Sequence, residues 1–579
     1  MKNLFLTLLY LLLSIKPSWA DNSFYLDSKS RFHPVIGDKG MVVSQEVIAS
    51  RVGAEILEAG GNAIDAAVAT GFALAVTLPR AGNLGGGGFM LVYLAEQNKT
   101  VAIDYREIAP AAADRDMFLN VEGDVDDTKA RYSALSSGVP GTVAGLVYAQ
   151  EKYGVLKLRE VLAPAIKLAR HGFIVSPDLS DSLRSRYARL SRHKTTKGYF
   201  YKPDGGFYLP GDKLSQPDLG ATLARIEAYG TDGFYKGKTA KLIVDQMQRS
   251  GGLISYKDLE NYKVFERQPI CGTYRAISLC AMPPPSSGGV HLVQMLNTLE
   301  NWTISDYPHN SASHLHLLVE SMRQAYADRS LYLGDPDFVK VPVSELISKD
   351  YAKRLSLKID QNTARSSKNI MPSVDLASLS PLKESEETTH FSVWDKDGNV
   401  VSNTYTLNFS YGNGIAVGGA GFLLNNEMDD FSAKPGAQNG YGLIGGDANS
   451  IEPFKRPLSS MTPTIVFDKK GKPFIATGSP SGSTIITIVL QMIVNMIDYD
   501  MGVAEATAAP RIHHQWLPDV IYFESGISAD TLEILKGMGH VVDDESSVLG
   551  ATQSISLERG RLSGVSDTRR HGAAAIPES

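Results

Sequence analysis

The residue whose position most strongly suggests chemistry is a threonine at the start of a predicted strand. Thr388 follows residues 360–387, a stretch rich in Ser, Lys, Asn and Pro that is typical of an exposed linker. The alternating residues 390–394 come next and predict a strand. If the chain cuts itself between Glu387 and Thr388, the threonine hydroxyl becomes a nucleophile whose nearest base is its own freed α-amine. The other interpretation is a linker that leads into an ordinary hairpin.

Several short motifs follow one another along the chain. They are GNAIDAA at 61–67, GGGGFM at 85–90, YRE at 105–107, PPPSSGG at 283–289, TTHFSV at 388–393, TYTLN at 404–408, LLNNEMDDF at 423–431, RPLSSM at 456–461, HHQW at 513–516 and DTRR at 567–570. In these motifs the chain resembles the γ-glutamyltranspeptidase family over nearly its whole mature length. The resemblance implies an N-terminal nucleophile hydrolase of the α/β (α+β) class, with a four-layer αββα sandwich built from both parts of a cleaved proenzyme.

Together with the N-terminal pattern described below, the resemblance implies how the chain is divided. Residues 1–20 would be a signal peptide, residues 21–387 a large subunit, and residues 388–579 a small catalytic subunit. The two subunits would stay together as a heterodimer and one interlocked structural unit. The implied reaction cleaves the γ-glutamyl bond of glutathione and related donors and passes the acyl group to water, amino acids or dipeptides. We expect no cofactor and no metal.

A γ-glutamyl substrate carries an α-carboxylate, an α-ammonium and a side-chain carbonyl, so its site needs a cation, an anion and an oxyanion hole. By resemblance Arg106 holds the α-carboxylate, for which a forked guanidinium is well suited, and Asp430 receives the α-ammonium. Without the motifs these residues would be interpreted as a surface ion pair and as a helix cap or calcium loop. The resemblance further assigns Thr406 to the catalytic group, Asn408 and Glu427 to the neighbourhood of Asp430, Ser459 and Ser460 to the α-carboxylate, and Tyr441 to a lid loop.

The oxyanion hole is expected in the sequence GSPSGS at 478–483, where the backbone N–H groups of Ser481 and Gly482 would face the developing charge. The family usually has two glycines here, and this chain has Ser481 at the first. A positive φ would be costly for serine. We expect an ordinary backbone at Ser481, because Pro480 restricts the preceding residue and Gly482 can absorb the unusual torsion.

Two other functions remain open on sequence grounds. A related acylase could remove a glutaryl group from a β-lactam side chain, but such a substrate lacks the α-ammonium that Asp430 would bind. An inactive exported binding protein is the second alternative, against which splitting before Thr388 would argue.

The N-terminus predicts export. Lys2 precedes an apolar run at 4–13 and the small residues around Trp19, a pattern typical of a cleavable signal peptide. An uncleaved anchor is the alternative, although the run is shorter than a membrane-spanning helix requires. We therefore expect a periplasmic or secreted protein. The net charge of −6, without a basic run, provides no electrostatic footprint for nucleic acid or an anionic membrane.

Cysteine, histidine and glycine patterns carry less information. Cys271 and Cys280 are the two cysteines of the chain, and a turn at Gly272–Thr273 could bring them together; a disulfide and two free thiols both remain open. The glycines at 85–88 fit no phosphate-binding spacing and predict close packing. Four histidines lack a metal-ligand spacing with a matched acid and are interpreted as core or surface residues: His314, His316, His513 and His514.

Predicted helices and strands are mixed along the whole chain, and these elements must position the candidate residues. Ser44 is predicted to cap a helix through residue 59, and Asn62 a buried alanine-rich helix over 63–76. Apolar periodicity predicts further helices at 141–153, 158–171, 214–229, 289–300, 313–333 and 485–498. Strands are predicted at 90–93, 101–105, 390–394, 400–407, 463–467 and 473–477.

Overall fold

Two seven-stranded antiparallel sheets form the centre of the computed structural model, which describes residues 32–370 and 388–578. The strands are β1 (Val35–Gly37), β2 (Gly40–Ser44), β3 (Gly87–Leu94), β4 (Lys99–Tyr105), β5 (Phe173–Ile174), β6 (Lys213–Leu214), β7 (Phe265–Arg267), β8 (Ile270–Tyr274), β9 (Ile277–Ala281), β10 (Thr389–Asp395), β11 (Val400–Thr406), β12 (Thr464–Phe467), β13 (Pro473–Thr477), β14 (Ile512–His513), β15 (Tyr522–Phe523), β16 (Gln553–Glu558), β17 (Arg561–Ser566) and β18 (Ala573–Ala575).

Helices account for most of the remaining regular structure. They are α1 (Val47–Glu58), α2 (Ala63–Thr77), α3 (Asp127–Tyr132), α4 (Thr142–Tyr153), α5 (Leu158–His171), α6 (Pro177–Ser185), α7 (Tyr187–Leu190), α8 (Lys194–Phe200), α9 (Pro217–Tyr229), α10 (Asp232–Tyr235), α11 (Gly237–Ser250), α12 (Tyr256–Asn261), α13 (Gly288–Leu299), α14 (Ala312–Tyr332), α15 (Val343–Leu346), α16 (Lys349–Ser356), α17 (Ile485–Asp498), α18 (Val503–Ala508) and α19 (Ala529–Gly537).

The two sheets pack face to face. The first has the strand order β18-β2-β10-β11-β3-β4-β7, and the second the order β1-β17-β16-β13-β12-β9-β8. Their inner faces meet in an apolar layer that includes Phe89, Leu91, Ile465 and Ile555. Helices α1, α2 and α4 cover the outer face of the first sheet, and α13 and α17 that of the second. The predicted αββα sandwich is confirmed.

The central strands of the first sheet are buried on both faces, as expected for a sheet between a helical layer and a second sheet. In β10, Phe391 and Val393 join the core beneath the helices, whereas Trp394 lies in the layer between the sheets. The alternation also sends two polar side chains inward: His390 bonds Thr404, and Ser392 donates to the carbonyl of Gln553 in β16. The interior near the start of β10 is therefore polar.

Two predicted helix starts need correction. Ser44 ends strand β2, and the carboxylate of Glu46 instead caps α1 by accepting from the N–H groups of Ile48 and Ala49. Helix α9 begins at Pro217, because Leu214 pairs with Phe173 in a short ladder. By contrast, Asn62 does cap α2, and all fifteen residues of that helix are buried, as predicted.

The two cysteines form a disulfide. Cys271 lies directly opposite Cys280 in the β8–β9 hairpin, and their sulfurs are bonded. The predicted turn was wrong: Gly272 lies inside β8, and the chain reverses at Arg275 and Ala276, which both have positive φ.

The described part of the predicted linker is attached to the body of the protein. Ser367 is buried; its carbonyl accepts from Trp516 Nε1 at 3.0 Å and its N–H donates to Asp519 at 2.9 Å. The expectation of an exposed linker is therefore wrong at this residue, although most of residues 360–370 are exposed. The predicted signal peptide and Glu387 lie outside the described residues. Within them, no helix is both long enough and apolar enough to span a membrane.

Buried neutral histidines predict acid sensitivity. Burial lowers the pKa of His291, His314, His390 and His513 to about 3. Below their unfolded pKa near 6.5 the unfolded chain binds more protons than the folded one, so this stabilisation is complete above pH 6.5 and is lost as the pH falls toward 3. We expect the melting temperature to fall steadily between pH 6.5 and 4, although the raised pKa of Glu107 acts in the opposite direction. An unchanged melting temperature over that range would contradict this expectation.

Candidate active site

Thr388 lies at the junction of the two central strands of the first sheet. Residue Thr389 of β10 pairs with Tyr405 of β11, so the preceding Thr388 lies beside Thr406. Their hydroxyl oxygens are 3.0 Å apart. Thr388 is 4% exposed and has φ of +82°, a conformation that is rare for a β-branched residue. The candidate nucleophile is thus buried, held by a second hydroxyl, and set on an unfavourable backbone.

A cavity opens in front of Thr388. It brings together most of the residues that the sequence singled out: Arg106, Thr388, Thr406, Asn408, Glu427, Asp430, Tyr441, Ser459, Ser460 and Gly482. Ser481 does not line it, and Glu387 lies outside the described residues. Four lining residues were missed by sequence reasoning: Arg329, Leu443, Met461 and Ile485. Three of these are apolar and carry no chemical signal, whereas Arg329 is a charged residue hidden in a long helix.

Arg106 is the centre of a buried charge cluster. Its Nη1 pairs with Glu427, its Nη2 lies 2.5 Å from Asp430 Oδ2, and its Nε donates to the Pro457 carbonyl at 3.1 Å. The guanidinium has no exposed surface, so the alternative interpretation as a surface ion pair is wrong. The cluster places a fork-shaped cation and two acids side by side at the wall of the cavity.

Burial shifts the ionisation of the acids around Arg106. The pKa of Glu107 rises to about 7 and that of Glu427 rises well above its usual range, because burial outweighs the opposing charge of Arg106. Both carboxyl oxygens of Glu107 and Oε2 of Glu427 have no hydrogen-bond partner within residues 32–370 and 388–578. Two such neighbouring acids favour sharing a proton over carrying two negative charges.

Hydroxyl groups also line the cavity. The loop that carries Ser459 and Ser460 is held by Ser287, whose N–H and Oγ both donate to the Ser459 carbonyl at 2.8 Å. Ser459 Oγ accepts from the N–H of Met461 at 3.1 Å. These contacts are those of a fixed loop, and they hold both serines toward the cavity that Thr388 also lines.

The segment predicted as a lid borders the cavity through Tyr441 and Leu443. Tyr441 Oη donates to the Asn408 carbonyl at 2.8 Å, and Gly440 donates its N–H to Asp429. A Cβ on Gly482 would lie 2.5 Å from the Tyr441 ring, so only glycine permits this approach. Tyr441 therefore lies directly over the loop expected to hold the oxyanion; its role as a lid stays a prediction.

The expectation of an ordinary backbone at Ser481 is wrong. Its φ is +94° and its ψ is +49°, in the left-handed region. Gly482, which was expected to absorb the unusual torsion, itself has a φ of +52°. The loop makes two successive left-handed steps where it enters the 3₁₀ turn Gly482–Thr484, so one glycine does not suffice. The Ser481 hydroxyl is buried and has no partner among the described residues.

This geometry changes the expected effect of the substitution Ser481→Gly. We expect turnover to rise several-fold, the equivalent of about 1 kcal/mol, because glycine adopts this φ without a Cβ clash and holds the loop N–H groups in place at lower cost. Ser483→Gly is the matched control, since Ser483 has no positive φ. Steady-state kinetics of both variants test this, and unchanged or lower turnover in Ser481→Gly would refute it.

One histidine cluster has a geometry that the sequence pattern did not reveal. His316 and Glu320 lie one turn apart on α14, and His540 joins them within reach of a common ion. The ligand atoms are already engaged: His316 Nδ1 bonds His540 Nε2 at 2.8 Å, His316 Nε2 bonds the Asp360 carbonyl at 2.7 Å, and Glu320 pairs with Arg323 and Arg365. This hydrogen-bond chain is complete with both rings neutral.

The glycines at 85–88 are close-packed, as predicted.

Comparisons with known proteins relate this chain to γ-glutamyltranspeptidases and to an acylase of similar fold. A family model described as gamma-glutamyltranspeptidase matches residues 49–576. A glutathione hydrolase proenzyme of Escherichia coli K12 is 54% identical over 540 residues, covering 93% of this chain and 92% of that protein. The Helicobacter pylori gamma-glutamyltranspeptidase structure is 46% identical, with a TM-score of 0.55 over 56% of this chain and 92% of that chain. A cephalosporin acylase from Bacillus halodurans is 25% identical, with a TM-score of 0.82 over 97% of this chain and 99% of that chain.

Proposed function

The chain belongs to the γ-glutamyltranspeptidase family, and from that premise we propose that it is a self-processing γ-glutamyl hydrolase and transferase acting on glutathione and related compounds. One observation carries the proposal. The Thr388 hydroxyl faces a cavity whose walls also present a buried guanidinium, two buried acids and two serine hydroxyls. A γ-glutamyl group has the charges and the carbonyl that such a cavity can recognise.

Processing creates the catalytic base. In the intact chain the Thr388 nitrogen is an amide and is not basic. Attack of the Thr388 hydroxyl on the Glu387 carbonyl forms an ester, and water hydrolyses that ester to release Glu387 as a carboxylate and Thr388 as a free α-amine. The products are a large subunit of residues 21–387 and a small subunit of residues 388–579, which remain associated as a heterodimer because both contribute strands to each sheet.

The mature enzyme then transfers an acyl group. The Thr388 α-amine takes the proton of its own hydroxyl as the oxygen attacks the γ-carbonyl, and the N–H groups of Ser481 and Gly482 stabilise the oxyanion. Collapse of the intermediate expels the amine of the product, which takes the proton. Water or an acceptor amine then resolves the γ-glutamyl ester and regenerates the threonine.

The substrate head group is oriented by the two walls of the cavity. Arg106 and the hydroxyls of Ser459 and Ser460 bind the α-carboxylate. Asp430 and Glu427 receive the α-ammonium, with Asn408 beside them. A charge-assisted hydrogen bond at each end fixes the γ-carbonyl in front of Thr388. The predicted signal peptide assigns this chemistry to the periplasm or the exterior of the cell.

Acylase activity on a glutaryl amide is the second candidate, favoured by the similarity to the cephalosporin acylase fold. A glutaryl group has the same carbon chain, acyl carbonyl and carboxylate as a γ-glutamyl group, but it has no α-ammonium. It would offer Asp430 and Glu427, which already pair with Arg106, no second cation to bind. We therefore favour the γ-glutamyl substrate.

Matched chromogenic donors separate these functions. The purified enzyme should release nitroaniline from γ-glutamyl-p-nitroanilide, and glycylglycine should accelerate that release. Glutaryl-p-nitroanilide differs by the missing ammonium and should react much more slowly. A preference for the glutaryl compound would favour the acylase, and no release from either would favour a binding protein.

A further inference from the structure

A second arginine lines the cavity beside Arg106. Arg329 lies near the end of α14, is 5% exposed, and borders both the main cavity and a second cavity that Asp430 also lines. No motif of the family resemblance includes it. Its position places a second guanidinium in the wall that holds Ser460.

Arg329 has no direct ion-pair partner among the described residues, although the nearby charge of Asp430 acts to raise its pKa. Arg106 pairs with Glu427 and Asp430, but no carboxylate within residues 32–370 and 388–578 lies within ion-pair distance of Arg329. Burial lowers the pKa of Arg329 to about 10, which still leaves it charged at neutral pH. Asp430 already pairs with Arg106, and a buried cation that must share its neighbouring acid with a second cation is costly. Such a group is expected where a ligand supplies the missing negative charge.

The hydrogen bonds of Arg329 point to the same ligand. Its Nε donates to Ser287 Oγ at 3.0 Å and its Nη2 to Ser460 Oγ at 3.2 Å. Because Ser460 Oγ accepts from the guanidinium, its own hydrogen is left to be donated. A hydroxyl fixed as a donor beside an unneutralised positive charge binds an anion and repels a cation.

We propose that Arg329 is a positioning residue for the substrate α-carboxylate, acting through the Ser460 hydroxyl. This rests on the proposed function, because it assumes a γ-glutamyl substrate. Arg329 defines the end of the cavity that binds the α-carboxylate. Glu427 and Asp430, which pair with Arg106, define the end that binds the α-ammonium. The two arginines thereby give the cavity a direction that matches an amino-acid head group.

A pair of donors tests this assignment. γ-Glutamyl-p-nitroanilide carries the α-carboxylate, and 4-aminobutyryl-p-nitroanilide is the same donor without it. In Arg329→Gln we expect kcat/KM for the first donor to fall about ten-fold or more, mainly through KM, with little change for the second. Arg329→Lys should recover part of the loss, because it keeps the charge but not the fork. Arg354→Gln removes an exposed charge and is the control for charge alone.

A double-mutant cycle tests the route through Ser460. The loss caused by Arg329→Gln should shrink in a Ser460→Ala background, because the hydroxyl that it positions is gone. This cycle uses only the γ-glutamyl donor, so it decides the question even if the decarboxylated donor reacts too slowly to measure.

Other outcomes would overturn the proposal. Equal losses on both donors, or fully additive losses with Ser460→Ala, would make Arg329 a structural residue. If neither Arg329→Gln nor Arg329→Lys cleaved itself before Thr388, Arg329 would also be a structural residue, because folding would then depend on it before any substrate binds. If the unsubstituted enzyme ignored γ-glutamyl-p-nitroanilide while still splitting before Thr388, the proposed function itself would fail, which is a different result.

Discussion

Thr388→Ala is expected to remain one uncut chain and to lack activity. Without the hydroxyl nothing attacks the Glu387 carbonyl, so neither the small subunit nor the catalytic α-amine is formed. Loss of the nucleophile should reduce turnover to background, the largest effect that we expect from any single substitution. A denaturing gel and a γ-glutamyl anilide assay measure the two consequences separately.

Two neighbouring variants control this experiment. Thr389→Val removes a buried hydroxyl that has no hydrogen-bond partner among the described residues, so processing should continue. Thr388→Ser keeps a hydroxyl and should process as well. Two subunits of normal size from Thr388→Ala would show that another residue cuts the chain and would remove Thr388 from its assigned role.

Arg106→Ala should produce the second largest effect. Loss of a charge-assisted hydrogen bond typically costs about 1.5–3 kcal/mol, or roughly ten- to more than a hundred-fold in kcat/KM. Arg106→Lys should also be impaired, because a point charge cannot replace the fork that contacts Glu427 and Asp430. Processing should continue in both variants, since neither Thr388 nor Thr406 contacts Arg106 through a hydrogen bond.

Arg115→Ala provides the matched control for Arg106. Arg115 pairs with Asp447, but both side chains are more than half exposed, and exposed pairs contribute little. Its kinetics should stay close to those of the unsubstituted enzyme. Near-normal kinetics in Arg106→Ala would instead exclude Arg106 from substrate binding.

The parts of the fold that were predicted correctly are encoded locally. Asn62 followed by an alanine-rich run defines α2, and alternation within residues 390–394 defines most of β10. The last strand of the chain was missed because its partner is distant in sequence: β18 pairs with β2, near the opposite end of the chain. Pairing of this kind is fixed by tertiary contacts, which a local pattern does not contain.

In the candidate site, too, some residues are indicated by local sequence and others only by tertiary packing. Thr388, Arg106 and Asp430 stand in contiguous motifs, so the sequence indicates them, and the structure brings all three to one cavity. Arg329 was missed because its proposed function depends on its hydrogen bond to Ser460 and on the lack of a direct ion pair among the described residues, which are properties of packing. The backbone of Ser481 was mispredicted because tertiary packing also constrains its loop. Gly478 packs closely against His390, and Ser479 packs closely against Gly550.

Mass spectrometry of the acyl-enzyme tests the central claim most directly. Enzyme quenched in acid during turnover of a γ-glutamyl donor should yield a small subunit that begins at Thr388 and has gained one γ-glutamyl group. Digestion should locate that group on the N-terminal threonine, and added glycylglycine should reduce its amount. A small subunit that begins elsewhere, or a γ-glutamyl group on any other residue, would contradict the assignment of Thr388 as the self-generated nucleophile.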